Sequence, residues 1–181
     1  VDSATNAPQT ITAADSTSGG DFFAQSLAGN LTLAHDISTL GSDITLVAAN
    51  VFDNSAGAAL QPGGTGRWTV WANTWVGEAR GGLAPTTPNP NFYGCTFGAA
   101  SCASGVTLPT SGDHFVYVQR PTVTVTVDDV TRTYGAANPT LSTTKTGLVN
   151  GDTGADAFTD QLTTTAVQTS SVGTYGIQAA N

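Results

Sequence analysis

The chain has 181 residues, only 10% of them charged, with a formal net charge of -8 and a pI near 4.2. That balance excludes the basic footprint needed to hold nucleic acid or an anionic membrane surface. Glu78 is the sole glutamate and Lys145 the sole lysine. Helices usually carry both types on their exposed faces, whereas Thr, Val, Gly and Asn fill this chain, so the composition predicts an all-β protein. No apolar run approaches the ~20 residues of a membrane helix, so membrane insertion is not expected. No signal peptide opens at Val1, and any export signal is expected upstream or already removed.

Residues 1–20 are small and polar around one apolar anchor, Ile11, and predict an irregular lead-in or an incomplete strand. From Asp21 the pattern sharpens. Leu31 and Leu33 share one strand face, Ile37 and Leu40 follow a turn, Ile44, Leu46 and Ala48 form another face, and Val51 and Phe52 close the run. Gly29-Asn30, Gly41-Ser42-Asp43 and Asp53-Asn54 are the corners. Strands of three to five residues between such short corners suit a parallel β-helix with about two coils of ~20 residues. Asn30 and Asn54 stand where asparagine tolerates a left-handed backbone at a coil corner.

Residues 61–110 are the least regular. In Arg67–Trp71 the alternation puts Trp68 and Val70 on one face and Trp71 on the other. The run from Glu78 to Asn91 is too rich in Gly and Pro for a helix or a central strand. Phe92, Tyr93 and Phe97 flank Cys95 and are expected to pin the loop to something apolar, making a cover for the last coil. Cys95 and Cys102 lack the spacing of a CxxC metal or redox site. A disulfide between them would contribute roughly 2.5 kcal/mol and imply an oxidising compartment; the alternative is two reduced thiols that merely pack.

Residues Phe115–Val127 alternate apolar and polar with a period of two, the pattern of a strand with one buried face. Pro121 cannot donate to a ladder, so one strand ends near Gln119 and another begins near Thr122. Asp128-Asp129 follow, and Tyr134–Pro139, Gly147–Asp152 and Val172–Ile177 are turn signals beyond them, each attached to a short apolar anchor.

The segments TVTVDDVTRTYGAANPTLS (124–142), GLVNGDT (147–153) and SSVGTYGIQA (170–179) resemble the MBG domain, an immunoglobulin-like β-module of large bacterial surface adhesins. The resemblance covers residues 121–181. Because modules of that family continue with a further hairpin, it implies a module incomplete at the C-terminus. Upstream, residues 29–60, GRWTVWANTW (66–75) and GDHFVYVQRPTVTVT (112–126) are similar to the C-terminal part of filamentous-haemagglutinin-like adhesins exported by two-partner secretion. Pattern and resemblance together predict the end of a right-handed parallel β-helix in 1–75, a loop-rich connector in 76–120 and a truncated Ig-like β-sandwich in 121–181.

Catalytic constellations are not evident. His35-Asp36 and Asp113-His114 are adjacent pairs whose members point to opposite faces of a strand. A nucleophile elbow, a phosphate loop and an HExxH motif are all missing. No enzyme is expected. The aromatic residues Trp71, Phe92 and Tyr93 are the candidates for stacking on a sugar, against a plainer role in packing. Asp128, Asp129, Asn150, Asp152 and Asp156 are candidate oxygen ligands for a structural calcium, against a plainer role in turns; no other cofactor is expected. The function these readings predict is a stalk or spacer of a secreted or cell-surface adhesin, serving cell adhesion or biofilm attachment. Its partner would be a host or surface glycan or a protein receptor. Two other classes are a carbohydrate-binding module and a fibre subunit that self-associates by strand addition at an open sheet edge.

Overall fold

A computed structural model describes residues 2–5, 7–12, 15–17, 19–87, 90–99, 102–103, 105–153 and 161–179. Among them regular structure is entirely β, without helix. The chain divides into two units, Val1–Arg120 and Pro121–Asn181.

The first unit is a parallel β-solenoid of about four turns. The first coil holds β1 (Asp2–Thr5), β2 (Gln9–Ile11) and β3 (Asp15–Thr17). The second holds β4 (Phe22–Ser26), β5 (Leu31–Leu33) and β6 (Ile37–Thr39). The third holds β7 (Ile44–Ala48), β8 (Phe52–Asp53) and β9 (Leu60–Pro62). Then come β10 (Trp68–Ala72), β11 (Asn91–Tyr93) and β12 (His114–Tyr117). The strands stack as three parallel sheets, β1-β4-β7-β10-β12-β11, β2-β5-β8 and β3-β6-β9. A bridge from Asp53 to Ala79 extends the second of these.

β4, β5 and β6 bury alternate residues, and the register places like on like. Phe22 pairs with Ile44 and Ile44 with Trp68, while Ala24, Leu46, Val70 and Phe115 follow one another up the interior. Leu31, Leu33, Ile37 and Phe52 close that interior from the other two sheets, all fully buried. Each large apolar side chain so buried contributes about 1.5–3 kcal/mol relative to exposure.

Corner residues tie one coil to the next. Asp21 Oδ1 accepts the backbone N–H of Asp43 (3.0 Å), and Asp43 Oδ1 accepts that of Arg67 (3.0 Å). Asp36 Oδ1 accepts that of Ala59 (2.8 Å) and Asn30 Oδ1 that of Val51 (3.3 Å). These acceptors satisfy backbone donors where the chain bends and the ladder is interrupted. They account for the abundance of Asp and Asn in a chain so poor in other charges.

Three expectations change here. Residues within 1–20 form a coil rather than an irregular lead-in, because parallel pairing runs through the backbone: Asp2–Thr5 pair in register with Phe23–Ser26. Leu40 is 77% exposed and Thr39 points inward instead. Alternation from Ile37 selects the second residue on, and the Thr39 hydroxyl finds the carbonyl of Ser42. Asn30 and Asn54 are not left-handed; Asn150 is the one described non-glycine residue with positive φ. Asn54 works instead through a buried amide. Its Nδ2 donates to Ala58 O (2.9 Å) and Arg80 O (3.2 Å), and its Oδ1 accepts from Ala58 N (2.8 Å). Gly81 lies so close over Asn54 that a Cβ there would strike its carbonyl.

Residues 76–120, expected as a connector, contribute β11 and β12 to the six-stranded sheet. The chain passes through β11 and then returns to insert β12 between β10 and β11. The strand expected to end near Gln119 ends at Tyr117, and the next begins beyond Pro121.

The second unit has β13 (Thr124–Val127) antiparallel to β14 (Thr143–Thr146), and β15 (Leu162–Thr164) antiparallel to β16 (Ile177–Ala179). Val149–Asp152 is a tight turn with φ of 57° at Asn150 and 77° at Gly151, closed by Asp152 N–H donating to Val149 O (2.9 Å). Positive φ at both central residues is the type I′ signature that Asn-Gly favours. None of the described residues in this unit is buried. Val130, Tyr134, Leu141, Val172, Tyr175 and Ile177 line an open groove of about 450 Å³.

Candidate functional site at the end of the solenoid

Both faces of β10 and β12 are covered, by different chemistry. On the inner side the interior ends in an aromatic and ionic plug. Trp68 meets Phe115 edge-on (5.1 Å between centroids), Trp75 meets Tyr117 (5.8 Å) and Tyr93 (5.4 Å), and Tyr93 stacks on Tyr117 (5.5 Å). Such pairs add about 0.5–1.5 kcal/mol beyond the area they bury. Arg80 lies over the Phe115 ring, its guanidinium carbon 4.0 Å from the centroid.

Glu78 is the acceptor at the centre of this plug. Its Oε2 accepts from Arg80 Nε (3.0 Å) and from the Tyr117 hydroxyl (2.7 Å). Arg80 Nη2 also donates to Tyr117 Oη (2.6 Å) and to Asn91 Oδ1 (2.8 Å). The Glu78 side chain is 3% exposed and its Oε1 is buried without a hydrogen-bond partner. Burial raises the Glu78 carboxyl above its ordinary value, against the opposing pull of Tyr117 and Arg80. Burial, followed by the nearby Glu78 charge, also raises the Tyr117 hydroxyl, so it stays neutral and can donate. One carboxylate, one guanidinium and one phenol thus fix the returning strand β12 against the loop of Glu78–Arg80. In the sequence this trio shows only as the sole glutamate standing two residues from an arginine.

On the outer side lies an apolar stripe, Val47–Trp71–Val116–Phe92, one residue from each successive strand. The loop after β11 folds over its Trp71, Val116 and Phe92 members. Cys95 and Cys102 are bridged, both buried, and pack with Val116, Trp71, Phe92 and Leu108 as a hydrophobic cluster separate from the interior. Phe97 reaches back down the sheet to stack on Phe23 (5.7 Å) and to meet Trp71 edge-on (5.3 Å). It thereby bridges β4 and β10, two strand spacings or roughly 9.5 Å apart. The expectation that Phe97 pins the loop holds, and Trp71 does face away from Trp68.

Trp71, Phe92 and Tyr93 are all half-buried in ring contacts: Trp71 beneath Phe97, Phe92 against His114 (5.1 Å), and Tyr93 between Trp75 and Tyr117. Tyr93 belongs to the plug and the other two to the stripe, so they do not form one platform. The acid–histidine neighbours also have structural partners. Asp113 Oδ1 accepts the N–H of Trp68 (2.8 Å), and the buried His114 places Nε2 3.1 Å from Ser111 O. In the second unit the two oxygens of Asp128 accept from Ser142 Oγ and Thr144 Oγ1 (2.7 Å each). Among the described residues no three His, Cys, Asp or Glu side chains converge as a metal site. Asn150 and Asp152 stand in the type I′ turn, Asp129 borders the groove, and Asp156 lies outside the described residues.

Residues 123–181 match the model of the MBG domain (YGX type). Tyr-Gly-X triplets stand at Tyr134-Gly135-Ala136 and Tyr175-Gly176-Ile177. This module occurs in bacterial surface adhesin-like proteins, which fits an extracellular location. No curated protein and no solved structure matches the chain.

Proposed function

We propose that this chain is a non-enzymatic stalk and spacer segment of a secreted or surface-attached bacterial adhesin of the filamentous-haemagglutinin-like, two-partner-secretion kind. The observation that carries the reading is the six-stranded parallel ladder, plugged and covered at β12 and β11 and followed in the chain by a match to an adhesin module. Stacked coils give reach because each strand adds one ladder spacing, and their hydrogen bonds run along the stack. The two aspartates of the adjacent acid–histidine pairs, Asp36 and Asp113, are engaged as backbone acceptors, which supports a mechanical role in adhesion or biofilm attachment. The test is a glycan array and an attachment assay with the purified chain, beside immunolabelling of intact producing cells. Surface labelling without glycan binding by the chain is expected. Glycan binding abolished by Trp71→Ala, with the β-sheet spectrum intact, would replace the spacer with a carbohydrate-binding module.

A second reading is favoured by the second unit, whose apolar side chains line a groove and are nowhere buried among the described residues. Strand addition from another copy would cover them and make the chain a fibre subunit. Concentration-dependent polymerisation supports this reading, and a monodisperse monomer counts against it.

A further inference from the structure

The structure assigns the Cys95–Cys102 loop as a redox-held clasp, whose reduction by a dithiol uncovers Trp71, Val116 and Phe92 of the outer stripe without unfolding the solenoid. Three observations carry this, independently of the adhesin reading. First, the cluster beneath the loop is separate from the interior, so Leu31, Leu46, Phe52 and Phe115 keep their burial when the loop lifts. Second, backbone hydrogen bonds within the described loop are local: Ala99 to Thr96 (3.1 Å), Ala103 to Gly94 (2.7 Å), Gly105 to Cys102 (2.9 Å) and Cys102 to Val106 (3.1 Å). Among the described residues, its hydrogen bonds to the rest of the unit lie at its ends, Cys95 N–H to Tyr117 O (2.9 Å) and Arg67 Nη1 to Pro109 O (2.6 Å). Between those ends, the described contacts that hold Phe97 and the bridged pair to the sheet are ring and apolar packing. Third, Thr96, Phe97, Gly98, Ala99 and Ala103 are exposed while the cysteines beneath them are buried. The bridge holds the loop in the shape that puts Phe97 on Phe23 and Trp71.

The step balances with a dithiol as the reductant. Its thiolate attacks one cysteine sulfur and displaces the other as a thiolate, which takes up a proton. The second thiol of the reductant then closes its own disulfide and releases the first cysteine, so two electrons pass to the protein. With two free thiols, the loop regains the conformational freedom that ring closure had removed. The uncovered stripe is then an exposed apolar patch.

The test compares the full chain oxidised, reduced with dithiothreitol, reoxidised, and as the Cys95→Ser/Cys102→Ser variant. Binding of the apolar dye anilinonaphthalene sulfonate should rise several-fold on reduction and in the variant, and fall back on reoxidation. Tryptophan emission should shift to the red, and the shift should disappear in a Trp71→Phe background. The far-UV β spectrum and the main unfolding transition should be kept. Unchanged dye binding and emission in both reduced forms would show that packing alone holds the loop. Loss of the β spectrum on reduction would show that the bridge is part of the solenoid's own stability. Either result overturns the clasp.

Discussion

The two units are built from the same residues, Thr, Val, Gly and Asn on short strands, yet among the described residues only one has an interior. In the solenoid, three-residue strands such as β5 and β6 bury their alternate side chains completely, because a closed coil gives every inward position a neighbour above, below and across. In the second unit β13, with an equally regular alternation, leaves Val125 42% exposed, since its sheet has two strands. Two-stranded ribbons are marginal in water for that reason. Alternation therefore specifies a strand and its faces, and stacking decides whether a face becomes a core.

The sharpest way to test that contrast is to delete equivalent apolar surface from each unit. Phe115 is fully buried, meeting Trp68 edge-on, Phe52 at 6.4 Å and Arg80 through its ring face. Phe115→Ala should cost about 3–5 kcal/mol, from lost transfer energy and the cavity left behind. Val172 is 93% exposed, and Val172→Ala should stay within about 0.5 kcal/mol. Denaturant unfolding followed by circular dichroism and tryptophan fluorescence measures both. Equal effects would mean that the second unit has a core of its own.

Burial in the first unit extends to polar groups, and Asn54 is the clearest instance. Asn54→Ala leaves the Ala58 N–H and the Ala58 and Arg80 carbonyls without their amide partner inside the corner. Leaving such buried groups unsatisfied costs roughly 1–3 kcal/mol each, an upper scale that relaxation reduces. A midpoint lowered in denaturant, with an unchanged slope, is the expected readout.

Asn54 also marks the limit of what the sequence shows. Its position at a corner was legible, because Asp-Asn punctuates the apolar runs, but the reason was not. A left-handed backbone and a side-chain acceptor both select asparagine, and only the coordinates of the next coil separate them. The opposed faces of Trp68 and Trp71 were legible from a period of two, the break at Pro121 from its missing donor, and the bridge from two cysteines in a small-residue loop. The first coil was hidden, since parallel pairing of Asp2–Thr5 with Phe23–Ser26 needs no apolar pattern to announce it. The insertion of β12 ahead of β11 was hidden too, because periodicity carries no information about strand order. The Glu78–Arg80–Tyr117 plug follows from that insertion and was lost with it.

In the second unit the most conformationally demanding position is Asn150, at φ 57°. Asn150→Val places a β-branched residue in the left-handed region, at a cost of roughly 1–2 kcal/mol. Asn150→Gly keeps the turn. Because this unit lacks a buried interior among its described residues, the valine variant should loosen its turn while the solenoid transition is unmoved. Amide hydrogen exchange around Val149–Asp152, compared with exchange in β7 and β10, reads the two units separately.

The smallest expected effect is a slope. Burial raises the Glu78 carboxyl in the folded state above its ordinary 4.5, so the folded chain holds this proton to higher pH than the unfolded one. The sign follows from linkage: the contribution to stability is complete below about 4.5 and is lost as pH rises through the folded value. At neutral pH the buried carboxylate, with one oxygen unpartnered, subtracts from the stability that Arg80 and Tyr117 restore. One such group changes stability by at most about 1.4 kcal/mol per pH unit. In Glu78→Gln that part of the pH dependence should vanish, while the second unit, to which Glu78 does not belong, keeps its own. Unfolding free energies of the two chains are measured from pH 4.5 to neutrality: a steeper loss in the wild-type chain places its proton in the plug, and equal slopes would mean that the fold leaves the Glu78 carboxyl as it is in the unfolded chain.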